Sequence, residues 1–320
     1  MKKIKISFLW NANITNTVIF NLIKILSQKE IEIVPVAKCD LLIFGPYEIF
    51  SAKRRLLNII NKKIKNIEGI FPNLDIYLLN RKIKPIRIFY SQENYLFPTT
   101  KYDFSITPYL GMNNKNHLRY PLWKDLIDWS HLKIPREPDI FLKRFDTYYD
   151  INDLMAPIGT EFLKKEKKIC IFSSHLNEPR KSILNKFSEN FQVDGYGPFF
   201  NKNIKNHNSS NIIKKVILKN YAFNLCPENS LYPGYYTEKI PESFLGKSLP
   251  LTWTDNNVNV DFNEKSFVNL LNHTKDNYSE ISYLLKDEDF LKKFTKEPLL
   301  LNKPNLDNEI NFIKNILALL

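Results

Sequence analysis

Between Tyr221 and Trp253 the chain reads YAFNLCPENSLYPGYYTEKIPESFLGKSLPLTW, and this stretch holds the residues best suited to chemistry. A strand pattern ends near Cys226 and a polar loop follows. Pro241 fits the early part of a helix that should begin near Thr237, a good N-cap residue. A helix start offers unpaired backbone N–H groups and the positive end of a dipole, which suits a phosphate. Lys239 in that first turn adds a full positive charge. Glu238 beside it, and Asn229 from the loop, could accept hydrogen bonds from sugar or ribose hydroxyls. The same residues also fit an ordinary capped helix with a solvated Glu–Lys pair.

Arg180 is a second cue. The chain is rich in lysine, yet Arg180 is its one arginine beyond Arg144. A planar fork that pairs bidentately with an anion is the property that lysine cannot supply.

The elements that must position these groups alternate between strand and helix. Ile4–Leu9, Ile31–Val36, Leu41–Phe44, Ile86–Tyr90 and Tyr102–Ile106 read as strands, with helices expected at Asn16–Leu26 (capped by Asn16) and Ala52–Ile64. A polar segment from Asp146 to Lys168 reads as a connection between domains. The pattern then restarts. Strands are expected at Lys168–Ser173, Phe191–Val193, Tyr221–Cys226 and Leu249–Trp253, and helices at Ser182–Phe187, Ile212–Leu218 and after Thr237. Alternation of this kind argues for parallel sheets covered on both faces. The apolar helix Ile310–Leu320 either packs back onto a domain or lies on a membrane surface, and packing is the simpler reading.

Composition bounds the function. The chain has 320 residues, enough for about two domains. Only 8 are glycine, so a glycine-rich phosphate cradle is excluded. The 3 cysteines have neither disulfide nor zinc spacing, which fits a reducing, cytoplasmic compartment. No apolar run is long enough for a transmembrane helix. The formal net charge of +12 would attract polyanions, but no nucleic-acid module is visible and no nucleic-acid partner is expected. Asp287-Glu288-Asp289 has the Asp-x-Asp form of some metal sites but sits in a charged, helix-like stretch. Gly195-Tyr196-Gly197-Pro198 is either a close backbone approach to a ligand or a plain turn.

The segment PENSLYPGYYTEKIPESFLGKSLPLTW, followed by DFNEKSFVN, resembles the donor-binding motif of the α1,3/4-fucosyltransferases over about 40 residues. FYSQEN (Phe89–Asn94), Tyr102-Asp103-Phe104, Arg119–Trp123 and Cys170–Phe187 are similar to other segments of that family. The resemblance implies an α/β GT-B type fold, two Rossmann-like domains facing an interdomain cleft. Its expected parts are an acceptor-side domain (1–155), a nucleotide-sugar-binding domain (156–300) and a C-terminal helix (301–320). It implies inverting transfer of L-fucose from GDP-fucose to a hydroxyl, O3 of GlcNAc or Glc, of an oligosaccharide acceptor. Glu93 would be the general base, and Arg180 and Lys239 would neutralise the leaving diphosphate. Asn229, Ser230, Tyr235, Thr237 and Glu238 would hold the nucleotide sugar.

No metal ligand and no required cofactor follow from the resemblance, and Mn or Mg dependence stays open. The expected location is cytoplasmic, as in bacterial forms without an anchor, with peripheral contact at the inner membrane face as an option. Acceptor and oligomeric state are not legible. Three departures flank the donor motif: Cys226-Pro227, Gly246-Lys247-Ser248, and Thr254 after Trp253. They leave open a different nucleotide-activated sugar, and a non-catalytic polyanion or membrane-surface binding protein is the second alternative.

Overall fold

The computed structural model describes residues 3–9, 14–46, 85–94, 102–136, 145, 147–166, 168–200, 214–275 and 278–320. The helix expected at Ala52–Ile64, and Ile212 and Ile213 of the later one, lie outside the described residues. Chain contacts divide the protein into two units. The first comprises Met1–Tyr120, Leu132–Arg136 and Leu306–Leu320; the second comprises Pro121–His131 and Glu137–Asn305.

The first unit carries strands β1 (Ile4–Leu9), β2 (Ile31–Ile33), β3 (Leu41–Phe44), β4 (Ile86–Tyr90), β5 (Phe104–Thr107) and β6 (His117–Arg119). They form one parallel sheet in the order β2-β1-β3-β4-β5-β6. β3 is buried along its whole length, as expected of an apolar run covered on both faces. Helix Val18–Ser27 starts one residue later than its expected cap implies. Thr17, not Asn16, accepts the Phe20 amide at 3.2 Å, and Asn16 is buried in the preceding 3-10 turn. Pro35, which cannot donate to a ladder, shortens the strand expected at Ile31–Val36 to β2. Helix Asp307–Leu317 packs against Val18–Ser27 and buries Phe312, Ile313 and Ile316. Phe312 meets Phe104 edge-on at 5.8 Å, so the helix's apolar face is occupied within this unit.

The second unit carries β7 (Ile169–Phe172), β8 (Val193–Tyr196), β9 (Phe223–Leu225), β10 (Leu249–Thr252) and β11 (Val268–Asn269), all parallel, in the order β11-β10-β9-β7-β8. This is a doubly wound order, and it reverses between β7 and β9. A crevice for a ligand opens at such a point, beyond the carboxyl ends of the two strands. The division of the chain falls elsewhere than the expected boundary at 155, because residues upstream of it pack on the second sheet's helices and loops. Trp123 Nε1 donates to Asp261 Oδ2 at 3.1 Å, with its ring 5.2 Å from that of Phe262, and Tyr149 OH donates to Glu242 at 3.2 Å. The described residues of the segment Asp146–Lys168, expected as a connection, are likewise packed. They form the short helix Ile151–Met155, and Leu154 O accepts from the Leu300 amide at 3.0 Å.

Lys165 ties the second unit's loops together. Its ammonium donates to Leu218 O and Tyr221 O, both at 3.2 Å, and to Lys247 O. Gly197 sits at φ +97°, and a Cβ there would come within 2.7 Å of Ser173 O. The close approach is therefore between β8 and the end of β7, and a left-handed turn residue without a side chain is required. Cys39, Cys170 and Cys226 are all buried as free thiols. Burial raises the Cys170 pKa and pushes that of Cys226 up to about 12. Native protein at pH 8 should therefore give no fast reaction with a thiol reagent, while denatured protein should release three equivalents. Rapid labelling of Cys170 or Cys226 in the native state would contradict the closed packing of β7 and β9.

Candidate nucleotide-sugar site

A small polar pocket opens in the second unit at the reversal of strand order. Ile171, Phe172 and Ser173 line it from the end of β7, and Asn224, Leu225, Cys226 and Pro227 from the end of β9. Arg180, Lys214 and Lys239 supply its charged wall. Short connections bring two of these side chains to the strand ends: the loop after β7 delivers Arg180, and the loop after β9 delivers Lys239.

Arg180 is the first residue of helix Arg180–Ser188 and is only 8% exposed. Its Nη1 donates to His175 O at 3.3 Å and lies 3.4 Å from Ser173 Oγ. Both acceptors belong to the loop leaving β7, so the guanidinium is held against the mouth of that strand. Glu178 fixes the helix start by accepting the Ser182 amide at 3.2 Å and its hydroxyl at 2.6 Å.

Around Lys239 the structure differs from the expected cap. The helix spans Lys239–Leu245, Glu238 occupies the cap position, and no side chain caps it. Thr237 is turned to another task. Its amide donates to Glu228 Oε1 at 2.8 Å, and its hydroxyl lies 2.9 Å from both oxygens of that carboxylate. Lys239 Nζ donates to Glu228 Oε2 at 2.8 Å and to Thr237 Oγ1 at 2.8 Å. Glu228 is 0% exposed, and an isolated charge at such a depth would be costly. The pairing resolves that cost. Burial works against the Lys239 charge, but Glu228 and then Glu238 outweigh it and raise its pKa above 10.5. The Glu–Lys pair is therefore not the solvated Glu238–Lys239 pair that local spacing suggests. The Thr237 N–H expected to be open to a phosphate is taken by Glu228.

A buried polar chain holds the helix on β9. Asn224 Nδ2 donates to Ser243 Oγ at 2.6 Å, and Ser243 Oγ donates to Lys239 O at 2.6 Å. The remaining expected site residues fall into two groups. Tyr235 is buried, and its hydroxyl accepts from Asn229 Nδ2 at 3.4 Å, so these two meet. Asn229 is exposed, and Ser230 and Glu238 are half-buried at the rim of the same loop and helix start. Glu93 belongs to the first unit. It lies half-buried just beyond the carboxyl end of β4, where Tyr109 OH donates to its backbone carbonyl at 3.5 Å.

Sequence reasoning missed Glu228, Lys214 and Glu242. Lys214 Nζ pairs with Glu242 Oε2 at 2.5 Å, and both are nearly inaccessible. Only the position of Glu228 at the head of Glu-Asn-Ser could have pointed to it. The downstream Asp261–Asn269 segment serves packing instead. Asn263 Nδ2 donates to Glu297 Oε2 at 2.9 Å and to Pro298 O at 3.0 Å, and Asn269 bonds both backbone groups of Thr254. Asp287 caps helix Glu288–Lys292 through the amides of Asp289 and Phe290, and Lys292 pairs with Glu288 and Asp289. Among the described residues, no group of three or more His, Cys, Asp or Glu could hold a metal ion, and no helix is long and apolar enough to cross a membrane.

Residues 162–296 match the model of glycosyltransferase family 10 (fucosyltransferase), C-terminal part. The chain is 27% identical over 252 residues to "Alpha-(1,3)-fucosyltransferase FucT" of Helicobacter pylori, which covers 72% of this chain and 50% of that protein. It thus spans about half the length of that curated relative. Among solved structures it is similar to an α1,3-fucosyltransferase at a TM-score of 0.65 and 22% identity, covering 99% of this chain and 90% of the other. A structure of an α1,3-fucosyltransferase with GDP-fucose matches at 0.63 and 22% identity, over 99% and 91%. The likeness shows the fold: two parallel Rossmann-like sheets of the GT-B type.

Replacing Glu228 by Gln should leave Lys239 without its carboxylate and cost roughly 3 kcal/mol in urea unfolding at pH 7. Because the folded Lys239 pKa is raised, the pair's contribution is complete below pH 10.5 and is lost as pH climbs through the folded value. The variant should lack that alkaline loss. Equal stability of the two proteins at pH 7 would contradict the assigned pair.

Proposed function

We propose, from the match of residues 162–296 to the model of glycosyltransferase family 10 (fucosyltransferase), that this chain is a glycosyltransferase that moves L-fucose from GDP-fucose to a hydroxyl of an oligosaccharide. The observation that carries this reading is the cavity at the β7–β9 reversal, where Arg180 and Lys239 converge beside a buried carboxylate. A nucleoside diphosphate is the anion whose charge and phosphate oxygens suit such a wall.

In the proposed reaction Glu93 removes the proton of the acceptor hydroxyl, O3 of GlcNAc or Glc. That oxygen attacks the anomeric carbon from the face opposite GDP, the bond from that carbon to the phosphate oxygen breaks, and the configuration inverts. GDP leaves with the electron pair. Arg180, through its fork, and Lys239, as a charge already held in place by Glu228, neutralise the developing diphosphate. Asn229 and Tyr235, already bonded to each other, and Ser230, Thr237 and Glu238 would form the nucleotide-sugar rim. Thr237 acts there through Glu228 rather than by capping a helix.

One observation favours a second reading, the same chemistry with another nucleotide-activated sugar. Cys226 and Pro227, which depart from the fucosyltransferase pattern, line the cavity itself. The other two departures do not. Gly246 packs so closely that a Cβ would come within 2.5 Å of Leu218, and Thr254 is buried against Asn269.

A panel of GDP-, UDP- and dTDP-sugars with a lactosamine acceptor, scored by nucleotide release with and without EDTA, tests donor and metal dependence together. Release of GDP from GDP-fucose, insensitive to the chelator, is expected. Release from a different donor alone would replace the fucose reading with the second one. Glu93→Gln should lower kcat at least ~100-fold while GDP affinity is kept. Arg180→Lys keeps the charge but loses the fork, and should lower kcat/KM about ten-fold. Wild-type rates in the Glu93 variant would remove the base assignment.

A further inference from the structure

We infer that Lys214 is a third phosphate-contacting cation of the donor cavity, held ready by Glu242. The inference rests on the nucleotide-sugar reading of that cavity and names a residue that neither the motif nor its spacing singles out.

Lys214 belongs to the helix Lys214–Leu218 and lines the same cavity as Arg180 and Lys239. It is 8% exposed, and Glu242, its ion partner, is 2% exposed. Glu242 is itself fixed, because Tyr149 OH donates to its Oε1 at 3.2 Å while its Oε2 takes Lys214. The Lys214 ammonium stands over the ring of Phe172, whose centroid is 4.9 Å away. Phe172 ends β7, so the charge lies at the strand mouth where the crevice opens.

The charge balance of the wall gives this position its meaning. Lys239 and Lys214 are each matched by a buried carboxylate, Glu228 for the first and Glu242 for the second. Both ammonium groups are therefore held at the wall by a fixed partner. A diphosphate brings at least two negative charges and several oxygens, more than a single cation can meet. Glu242 takes one of the three N–H donors of Lys214. An ammonium on a flexible stem can turn its other donors to a phosphate without losing its carboxylate. Glu242 thus acts as a positioning residue: it holds the Lys214 ammonium in place at the cavity wall.

The alternative is that Lys214 only neutralises Glu242, and variants separate the two roles. Lys214→Met alone leaves a buried carboxylate without its cation and is expected to destabilise the domain. The deciding protein is therefore the double variant Lys214→Met with Glu242→Gln. It removes both charges, and the new side-chain amide keeps an acceptor for Tyr149. Titration calorimetry of the full chain with GDP and with guanosine reads the outcome, after circular dichroism has shown native fold. The expected result is GDP affinity lowered about ten- to hundred-fold, the scale of one charged hydrogen bond, with guanosine affinity unchanged. Wild-type GDP affinity in the folded double variant would overturn the inference and leave the donor reading intact. Failure of the wild-type chain to bind GDP at all would overturn both. Should the double variant also fail to fold, Lys214→Gln with Glu242→Gln, which keeps a hydrogen bond between the two side chains, is read by the same criterion.

Discussion

The carboxylate of Glu228 is the constraint around which the second unit's site is arranged. It is fully buried, so its charge must be met by fixed donors, and the Thr237 amide, the Thr237 hydroxyl and the Lys239 ammonium meet it. Those three donors come from the far side of a tyrosine-rich loop, and the carboxylate comes from the near side. The bonds therefore close the loop and set where the Lys239–Leu245 helix begins. Lys239 keeps its charge in a buried place because Glu228 is there, and the charge stands at the wall of the cavity for the same reason.

The sheet decides where that wall lies. Parallel strands point their carboxyl ends the same way, and a change of direction in the winding separates the connections that leave two neighbouring strands. Here β7 and β9 are those neighbours. One connection carries Arg180 and the other carries Lys239, so residues far apart in the chain face one cavity. The polar chain from Asn224 through Ser243 to the Lys239 carbonyl ties the second connection's helix back to β9. A site built this way can manage without glycine: its cations sit on side chains that buried carboxylates and carbonyls hold in place.

Much of this is legible in the sequence. The strands β1, β3, β4 and β10 fall where apolar runs of the right length predict them, and alternation with helices indicates two parallel sheets. Arg180 and Lys239 stand out by residue type and by the motif around them. The cap expected at Thr237 fails because a threonine before a helix is ordinarily a cap, and the pull of a buried carboxylate nine residues upstream has no local signature. The limits of the two units escape the sequence for a similar reason. The stretch Asp146–Lys168 has the composition of a connection, and only contacts such as those of Tyr149 with Glu242 and Leu154 with Leu300 tie its described residues into the second unit.

Sequence alone located the strands β1, β3, β4, β7, β9 and β10, since period and chain stiffness are local properties, and it supplied a motif specific enough to name a chemistry. Tertiary structure decided which charges meet. Glu242 takes Lys214 from 28 residues away and Tyr149 from 93 away, and neither spacing has any meaning along the chain. The physical reason is that a buried charge is stable only where partners stand within hydrogen-bond reach. Whether they do is a matter of strand order and helix packing rather than of neighbourhood in sequence.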